Sequence, residues 1–415
     1  PLQDSETHTL RRRVPDDRNG QGSEVRDPRT NGGGTGTAES RLIDHEKTGR
    51  AFRFCDDLGP KAVVHLYQPT LGMKAIVVID NVACGPAIGG TRMAPDVSLE
   101  ECFRLARAMT LKNAAAGLPH GGAKSVIFGD PTMDPDTKEQ WIRAFGRGIE
   151  GLTDYIPGPD MGTNEVAMAW IRDEIGRSAG LPREIGGIPL DEIGATAFGV
   201  LVSTDVARER VGLSFDNMRV AVQGFGAVGL HAARFFAEKG ATIVAVADIT
   251  GAVYDADGLD LDSLISHNRG GGDIGTFAGG AQIERDSIVT VDCDVLIPAA
   301  RPDVIRADNQ AEVKAKLIVP GANIGITEEA ELMLHERGVL CIPDFIANAG
   351  GVICAAVEYG GGRKRDAMAA IDEKVRANTA EMLQRGDRDG MPPREAATAM
   401  ARERVDAAMT YTRFD

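Results

Sequence analysis

The sequence has few aromatic residues, an excess of acidic over basic residues, and no long apolar run. Aromatic residues make up 5% of the 415 positions, and 61 acidic residues outnumber 46 basic ones, which gives a net charge of −15. A surface this acidic argues against general binding to nucleic acid or to an anionic membrane. No apolar run approaches the roughly 20 residues of a bilayer-spanning helix. Since no secretory signal is recognisable either, we expect a cytoplasmic protein.

Cysteine is also sparse, and its spacing is not that of a metal site or a redox motif. The six cysteines form no Cys-x-x-Cys pair, and none has a histidine at metal-ligand spacing. Most lie in apolar runs, where a free thiol packs as a small hydrophobic side chain. We therefore predict structural thiols in a reducing compartment, and no metal site.

Length and composition indicate a globular chain with a polar first segment. A chain of 415 residues suits two or three domains, and 43% hydrophobic with 26% charged residues is typical of globular proteins. Residues 1–40 are rich in Gly, Arg, Asp, Ser and Thr and hold almost no large apolar side chains. Such a segment cannot bury enough surface to offset the entropy lost on ordering. We therefore predict a disordered tail over 1–40 and ordered structure from about residue 41.

The first half of the ordered chain alternates between strand and helix patterns. Ser98 and Glu101 form a capping box, and apolar residues then recur every three or four positions until Gly117. Short runs rich in β-branched residues are typical of buried strands. These patterns predict strands at 75–79 and 125–128 and helices at 98–116 and 137–150.

Near residue 190 the pattern changes to short strands separated by glycine turns and helices. It predicts strands at 219–223, 242–247, 295–297 and 317–319, a helix at 231–238, and terminal helices over 365–410. Alternating strands and helices of this kind indicate a mostly parallel, doubly wound sheet. The chain is therefore assigned to the α/β class.

A dinucleotide-binding fingerprint, GxGxxG, stands between the first of these strands and the helix after it. Gly224 permits the tight turn, Gly226 lets the backbone approach a pyrophosphate, and Gly229 allows close helix–strand packing. An isolated GxGxxG could be only a glycine turn that packs a helix. The ordered set of strand, fingerprint, helix and second strand instead predicts dinucleotide binding.

The residues after these glycines indicate which dinucleotide binds. Ala227 and Val228, inside the fingerprint, are expected to contact the cofactor, and the unpaired N–H groups at the start of the following helix are expected to face the phosphates. Asp248 ends the second strand, where a carboxylate accepts hydrogen bonds from the adenosine ribose and repels a 2′-phosphate. We therefore predict NAD as the cofactor, with NADP as the alternative.

Two lysines and one aspartate are candidates for chemistry. Lys112 lies near the end of the predicted helix, and Lys124 lies between small residues and an apolar strand. An amine that is desolvated near another cation has a lowered pKa and can act as a general base near neutral pH. Asp160 lies in a turn after a proline. The alternatives are solvated surface lysines and a turn aspartate that bonds its own backbone.

Several ordered motifs resemble those of the glutamate/leucine/phenylalanine/valine dehydrogenase family. They are GPAIGGTRM at 85–93, MTLKNAAAG at 109–117, GGAKS at 121–125, PDMGT at 159–163, the glycine fingerprint at 224–229 and NAGGV at 348–352. The similarity covers about residues 50–410. It implies an enzyme that oxidatively deaminates an L-amino acid to its 2-oxo acid and ammonia, and that catalyses the reverse reductive amination.

The resemblance implies the roles of the two lysines and the aspartate. Lys112 resembles the lysine that binds the substrate α-carboxylate. Lys124 resembles the catalytic lysine that activates water, and Asp160 resembles the catalytic aspartate that carries protons to and from the amino nitrogen. A fixed carboxylate, a base and a proton carrier are what this chemistry needs.

Further site residues follow from the same resemblance. Thr196 resembles the residue that contacts the nicotinamide amide, and Asn323 and Asn348 resemble residues near the nicotinamide and the substrate. Gly89 and Gly90 belong to the motif that lines the substrate site.

The resemblance also implies two domains and an oligomer. Residues 41–187 correspond to a substrate-binding and oligomerisation domain, which the C-terminal helices over about 380–415 rejoin. Residues 188–379 correspond to the NAD-binding Rossmann domain. Hexamers or octamers of one chain are usual in the family.

Two positions bear on the substrate side chain. Where this chain has Ile88, glutamate dehydrogenases have a lysine that pairs with the substrate γ-carboxylate, and where it has Ala355 they typically have a serine. An apolar wall leaves a buried carboxylate unpaired, at a cost of several kcal/mol. We therefore predict a branched-chain or other apolar substrate. Glutamate remains the alternative, because residues 156–200 look more like the glutamate enzymes.

A silent regulator and a 2-hydroxy acid dehydrogenase are the alternatives from other functional classes. A catalytically silent NAD-binding regulator would keep the glycines but lose a lysine or the aspartate, and all three are present. A 2-hydroxy acid dehydrogenase usually uses a histidine base, and His120 is the only histidine near the motifs. No substrate-binding arginine set accompanies it.

Overall fold

A computed structural model describes residues 52–412. The predicted disordered tail over 1–40 and the start of order near residue 41 lie outside these residues. The described part is an α/β structure with two sheets, one of five strands and one of seven. No helix within residues 52–412 is both long and apolar enough to span a membrane.

The first sheet is mixed, and its strand order is β1-β2-β4-β3-β5. Its elements are β1 (Ala62–Gln68), β2 (Met73–Asn81), β3 (Ala87–Ala94), α1 (Leu99–Ala115), β4 (Gly122–Phe128), α2 (Pro135–Gly148), β5 (Tyr155–Pro159) and α3 (Glu165–Ile175). Strand β3 pairs in parallel with β4 and β5, whereas β2 pairs antiparallel with β1 and β4. The ends of β3, β4 and β5 therefore meet at one edge of the sheet.

Both faces of this sheet are covered, as the alternation of side chains along a strand requires. Val78 and Val126 pack with Cys102 of α1 on one face. On the other face Val77 and Ile127 pack against α2 and α3. Residues 75–79 of β2 and 126–128 of β4 are consequently apolar at every position.

The second sheet has the order β12-β11-β10-β6-β7-β8-β9. Its strands are β6 (Arg219–Gln223), β7 (Thr242–Ala247), β8 (Ala252–Tyr254), β9 (Ala281–Ile283), β10 (Val295–Pro298), β11 (Leu317–Ile318) and β12 (Leu340–Cys341). The strands from β12 to β7 are parallel, and β8 and β9 add an antiparallel edge. The predicted mostly parallel sheet with helices on both faces is confirmed.

Eight further helices cover this sheet or join it to the first one. They are α4 (Ala195–Ala207), α5 (Ala227–Glu238), α6 (Leu261–Arg269), α7 (Glu328–Glu336), α8 (Asp344–Ala347), α9 (Gly350–Tyr359), α10 (Lys364–Asp389) and α11 (Pro393–Met409). Helix α10 packs on α4 and α9, and α11 packs on α1. Arg404 of α11 donates hydrogen bonds to the carbonyls of Ala114 and Ala115 at the end of α1. The last helix therefore returns to the first sheet.

Two predicted helices have different bounds in the structure. The helix predicted at 137–150 runs from Pro135 to Gly148, because Asp134 caps it by accepting the Thr137 N–H at 3.0 Å. The helix predicted at 231–238 begins at Ala227, so that Gly229 lies inside its first turn. A glycine that packs against a strand does not prevent a helix from starting before it.

All six cysteines are free thiols in the structure. Four are buried, and Cys55 and Cys84 are half-buried. Burial raises the pKa of Cys102 and of Cys293 to about 12. Such thiols stay protonated and pack as apolar groups.

Candidate functional site

Lys124, inside β4, and Asp160, at the end of β5, form a largely buried ion pair beside Gly90 of β3. The Lys124 Nζ lies 2.7 Å from Asp160 Oδ2, and the lysine is only 6% exposed. Asp160 directly follows β5, and its backbone N–H is held by Thr163 Oγ1 at 3.0 Å. Lys124 is therefore not a solvated surface charge, and the Asp160 carboxylate does more than close its own turn.

The space for this ion pair exists because β3 carries two glycines. A Cβ at Gly90 would lie 2.8 Å from the Asp160 Cβ and 3.0 Å from Lys124 Nζ. A Cβ at Gly89 would lie 1.6 Å from the Ala123 carbonyl oxygen, so β3 and β4 could not pair as they do. A side chain at either position would displace one of the charged groups or separate the strands.

Lys112 lies in the last turn of α1 and reaches residues of the second sheet. Its Nζ donates to Asn348 Oδ1 at 2.6 Å and lies 3.5 Å from Asn323 Oδ1. Asn348 Nδ2 in turn donates to Asn323 Oδ1 at 2.8 Å. The structure thus brings together three residues that are far apart in the sequence and that the sequence analysis placed near the substrate.

The pKa of Lys112 is lowered to about 8. Burial is the largest cause, and repulsion from Lys124 adds to it, while Asp344 and Asp160 act in the opposite direction. Desolvation beside a second cation, which the sequence argument predicted for Lys124, lowers the pKa of Lys112. This lysine exchanges its proton near neutral pH.

Sequence analysis did not assign Arg92 to the site. Its Nε donates to Asp160 Oδ2 at 3.0 Å, and its Nη1 donates to Glu101 Oε1. Burial alone would raise the pKa of Asp160, but attraction to Lys124 and Arg92 outweighs it and lowers the pKa. The signal was present in the sequence, because Ile88, Gly90 and Arg92 alternate along β3 and so share one face.

A small apolar cluster contains both positions that were predicted to line the side-chain pocket. Ile88, Ile156, Ala179 and Ala355 pack together from β3, β5, the segment after α3, and α9. Ile88 is 4% exposed and Ala355 is 9% exposed. The wall that these four side chains form is therefore entirely apolar.

Glu358, also missed from the sequence, fixes α9 to the segment that carries Ala179. Its carboxylate accepts backbone N–H groups of Gly180, Leu181 and Ile188 at 2.7, 3.0 and 2.6 Å. Three N–H donors satisfy a buried carboxylate without a cation. This contact fixes α9, which carries Ala355, relative to the segment that carries Ala179.

The glycine fingerprint has the geometry that a dinucleotide needs. Gly224 has φ of 98°, in the left-handed region that favours glycine, and a Cβ there would lie 2.5 Å from the Ala300 Cβ. A Cβ at Gly229 would lie 1.7 Å from the Gly224 carbonyl oxygen. At Gly226, by contrast, nothing of the protein lies within 4 Å of a Cβ.

The start of α5 is open in the same place. Gly226 is the N-cap of α5. No side chain accepts a hydrogen bond from the N–H groups of the first turn, which starts with Ala227 and Val228. An uncapped helix start beside an open glycine suits a phosphate. The residues present therefore fit a dinucleotide at this site.

The other predicted cofactor residues surround the ends of β6 and β7. Asp248 directly follows β7, and its Oδ1 accepts the Thr250 N–H at 2.7 Å. Thr196 lies in the first turn of α4, and its Oγ1 would be 3.1 Å from a Cβ at Gly351. The pairing of β6 with β7 places Asp248 next to the fingerprint turn.

Comparison with known proteins places both sheets in one family. Residues 63–177 match the model described as Glu/Leu/Phe/Val dehydrogenase, dimerisation domain, and residues 186–413 match the model described as Glutamate/Leucine/Phenylalanine/Valine dehydrogenase. The glutamate dehydrogenase of Aeropyrum pernix is 37% identical over 352 residues, which are 79% of this chain and 84% of that protein.

Two solved structures have the same fold. The hetero-hexameric glutamate dehydrogenase from Thermus thermophilus, in a Leu-bound form, has a TM-score of 0.76 and 31% identity, over 84% of this chain and 89% of that chain. Glutamate dehydrogenase from Peptoniphilus asaccharolyticus has a TM-score of 0.75 and 28% identity, over 88% and 98% of the two chains.

Proposed function

Because the chain belongs to the glutamate/leucine/phenylalanine/valine dehydrogenase family, it is an amino-acid dehydrogenase, an oxidoreductase that acts on CH–NH2 donors. We propose that its substrate is a branched-chain or other apolar L-amino acid and that its coenzyme is NAD. The reaction consumes the amino acid, water and NAD and gives the 2-oxo acid, ammonium, NADH and a proton. The reverse reductive amination uses the same site.

The observation that carries the substrate proposal is the packing of Ile88 with Ala355. Burying a Leu or Val side chain against such a wall stabilises the complex by about 1.5–3 kcal/mol. A γ-carboxylate against the same wall would lose its water without gaining a cation or a hydrogen bond from these side chains. An apolar substrate is thereby favoured.

Glutamate is the second candidate, and a specific observation favours it. The curated relative at 37% identity is a glutamate dehydrogenase, and so are the two structural neighbours described above. These names state the activity of the relatives and not of this chain. Glutamate would require a cation that reaches the pocket from outside the cluster of Ile88, Ile156, Ala179 and Ala355.

Three polar residues divide the chemistry between them in this proposal. Lys112, oriented by Asn348, holds the α-carboxylate of the substrate. Lys124 in its neutral form takes a proton from the water that adds to the imino acid. Asp160 exchanges a proton with the substrate nitrogen, and its contact with Lys124 keeps the two groups within proton-transfer distance.

NAD, when bound, supplies the acceptor for the hydride that leaves the substrate Cα. Gly224, Gly226 and Gly229 with the start of α5 would hold its pyrophosphate, and Asp248 its adenosine ribose. Thr196 and Asn323 would lie near the nicotinamide. Asp248 is the reason for preferring NAD, because a 2′-phosphate beside it would be repelled.

A homo-oligomer is proposed as well, and a 2-hydroxy acid substrate is not. One structural neighbour is described as hetero-hexameric, and residues 63–177 match a dimerisation domain. Within the described residues, His120 Nδ1 bonds the Pro86 carbonyl at 3.0 Å and not the carboxylate that usually pairs with the histidine base of a hydroxy acid dehydrogenase.

The experiment is a steady-state panel of L-leucine, L-valine, L-phenylalanine and L-glutamate, with NAD and then with NADP. We expect an apolar amino acid with NAD to have the highest kcat/KM, and the reverse reaction to require ammonia. Highest kcat/KM with glutamate would transfer the proposal to the second candidate. Absence of turnover together with retained NAD binding would favour the silent regulator.

A further inference from the structure

The Asp160 carboxylate is held by two cations. Lys124 Nζ and Arg92 Nε both approach the same oxygen, Oδ2, at 2.7 and 3.0 Å. Lys124 comes from β4 and Arg92 from β3, so the two cations reach Asp160 from neighbouring strands. The proposed chemistry uses Lys124 and Asp160 and leaves Arg92 without a role.

Arg92 is also fixed on the side away from Asp160. Its Nη1 donates to Glu101 Oε1, and the backbone N–H of Glu101 donates to Ser98 Oγ at 3.1 Å. Ser98 thus caps α1, but the Glu101 side chain pairs with Arg92 and does not complete the capping box that the sequence predicted. The Arg92 side chain is only 19% exposed. Because a guanidinium is planar, the contact with Glu101 also fixes the direction of Nε.

We propose that Arg92 is a positioning residue that keeps Asp160 ionised and oriented while Lys124 is neutral, and that Glu101 anchors Arg92 in this position. The proposal rests on the proposed function, in which Lys124 must lose its proton to act as a base. At that moment the Lys124–Asp160 pair would leave a buried carboxylate beside an uncharged amine. Arg92 keeps its charge at every working pH, whereas a lysine can lose its proton.

The charges around Asp160 support this assignment. The groups that face it are Lys124 from β4, Arg92 from β3, Lys112 from α1 and Tyr155 from β5, and Glu101 lies behind Arg92. In the proposed reaction Lys124 loses and regains a proton, and the charge of Lys112 pairs with the substrate α-carboxylate. Among the cations that face Asp160 within the described residues, Arg92 is the one that neither loses its proton nor pairs with the substrate.

The test is the acidic limb of the pH profile of kcat/KM in Arg92→Met and Glu101→Gln. Loss of the Arg92 charge should move this limb up by about one pH unit, because removal of a neighbouring cation favours the protonated Lys124–Asp160 pair over the active form, in which Lys124 is neutral and Asp160 is ionised. Loss of the Glu101 charge should move it down, because a repelling charge is removed. A merely structural role for either residue would lower kcat without moving the limb.

Two further variants separate charge from shape. Arg92→Lys keeps the charge but not the planar contact with Glu101, so the limb should stay near its wild-type position while kcat falls about tenfold. Arg104→Met removes a cation from the exposed side of α1 and should leave both unchanged. If Arg92→Met fails to fold, the proposal is still tested, because Glu101→Gln should lower the limb whereas Arg92→Lys should lower kcat and leave the limb in place.

A readout without turnover distinguishes failure of this proposal from failure of the proposed function. Infrared pH-difference spectra give the titration of the Asp160 carboxyl directly, identified by its loss in Asp160→Asn. The expected result is a higher midpoint in Arg92→Met and a lower one in Glu101→Gln, whether or not any amino acid is oxidised. Unchanged midpoints in both variants would overturn the role of Arg92.

Discussion

Ile88 of β3 and Ala355 of α9 pack in one buried apolar cluster. Ile88 belongs to the first sheet, and Ala355 belongs to a helix that follows the second sheet in the chain. In the proposed function, the substrate side chain contacts this junction between the two halves of the molecule. Changing the polarity of this junction should change the substrate without changing the chemistry.

The double variant Ile88→Lys with Ala355→Ser should move specificity from leucine toward glutamate. The new ammonium and hydroxyl would pair with a γ-carboxylate, and they would be left unpaired by an apolar side chain. We expect kcat/KM for L-leucine to fall by about 100-fold, equivalent to about 3 kcal/mol. The ratio of L-glutamate to L-leucine is the quantity to measure.

Ile88→Leu is the matched control for this prediction. It conserves volume and polarity, so both the ratio and the melting temperature should change little. A double variant that melts like the wild type and yet keeps its preference for leucine would show that the cluster does not contact the substrate side chain.

Carboxylate binding should weaken as pH rises through the pKa of Lys112, which is about 8. The native lysine is charged below this pH and neutral above it, so the attraction for an α-carboxylate is present below about 8 and is lost as pH rises. The probe is 4-methylpentanoate, an apolar carboxylate without an amino group. Its inhibition constant should rise between about pH 7 and pH 10.

Lys112→Arg keeps its charge over this range and should therefore show a nearly constant inhibition constant. Lys374→Arg is the matched control, since Lys374 on α10 bonds the Gly117 carbonyl at 3.1 Å and should leave the wild-type pH dependence intact. A flat wild-type profile would remove Lys112 from carboxylate binding.

Asp248→Asn should increase the use of NADP relative to NAD. The amide oxygen can still accept the Thr250 N–H, which Asp248 Oδ1 accepts at 2.7 Å, so the turn is kept while the charge is removed. We expect the NADP/NAD ratio of kcat/KM to rise about tenfold, which corresponds to about 1.4 kcal/mol. Asp262→Asn on the exposed side of α6 changes the net charge equally and should leave the ratio unaltered.

Ile324 is a β-branched residue with φ of 54°, in the left-handed region. Its N–H donates to the buried Asp344 carboxylate at 2.8 Å, which fixes this conformation. A left-handed backbone conformation costs an L-residue about 1–2 kcal/mol, and glycine avoids this cost. About 0.5–1 kcal/mol of that gain is lost again, because glycine makes the unfolded chain more flexible. Ile324→Gly should therefore raise the free energy of unfolding by about 0.5–1 kcal/mol.

Ile324→Ala removes most of the same side chain but keeps most of the cost of the left-handed backbone conformation. It should therefore not raise the free energy of unfolding. Thermal unfolding of both variants beside the wild type makes the comparison. A melting temperature for the glycine variant at or below that of the alanine variant would contradict the assignment of strain to this residue.

The sequence predicted those parts of the fold that local patterns determine. The strands at 219–223 and 242–247 have the bounds that were predicted, because β-branched runs end at glycine or aspartate there. The start of α5 was missed by four residues, because residues 227–230, which follow and include fingerprint glycines, were not assigned to the helix. The left-handed Ile324 has no local signal, since Asp344 imposes it from another element.

The site was predictable as a set of residue types and not as a set of contacts. Lys124 and Asp160 could be named from their motifs, but their ion pair with Arg92 depends on the pairing of β3 with β4 and β5. The contact of Lys112 with Asn348 requires α1 to meet the end of α8 through folding. No spacing in the sequence encodes that meeting.

The central claim is an apolar substrate, and competition between two amino acids in one reaction tests it most directly. Equimolar L-leucine and L-glutamate are given to the wild-type enzyme with limiting NAD, and the two 2-oxo acids are quantified by mass spectrometry. Because the two substrates compete for the same enzyme, the product ratio equals the ratio of their kcat/KM values and does not depend on the enzyme concentration. We predict that 4-methyl-2-oxopentanoate exceeds 2-oxoglutarate by at least about tenfold, which corresponds to about 1.4 kcal/mol. An excess of 2-oxoglutarate would contradict the account.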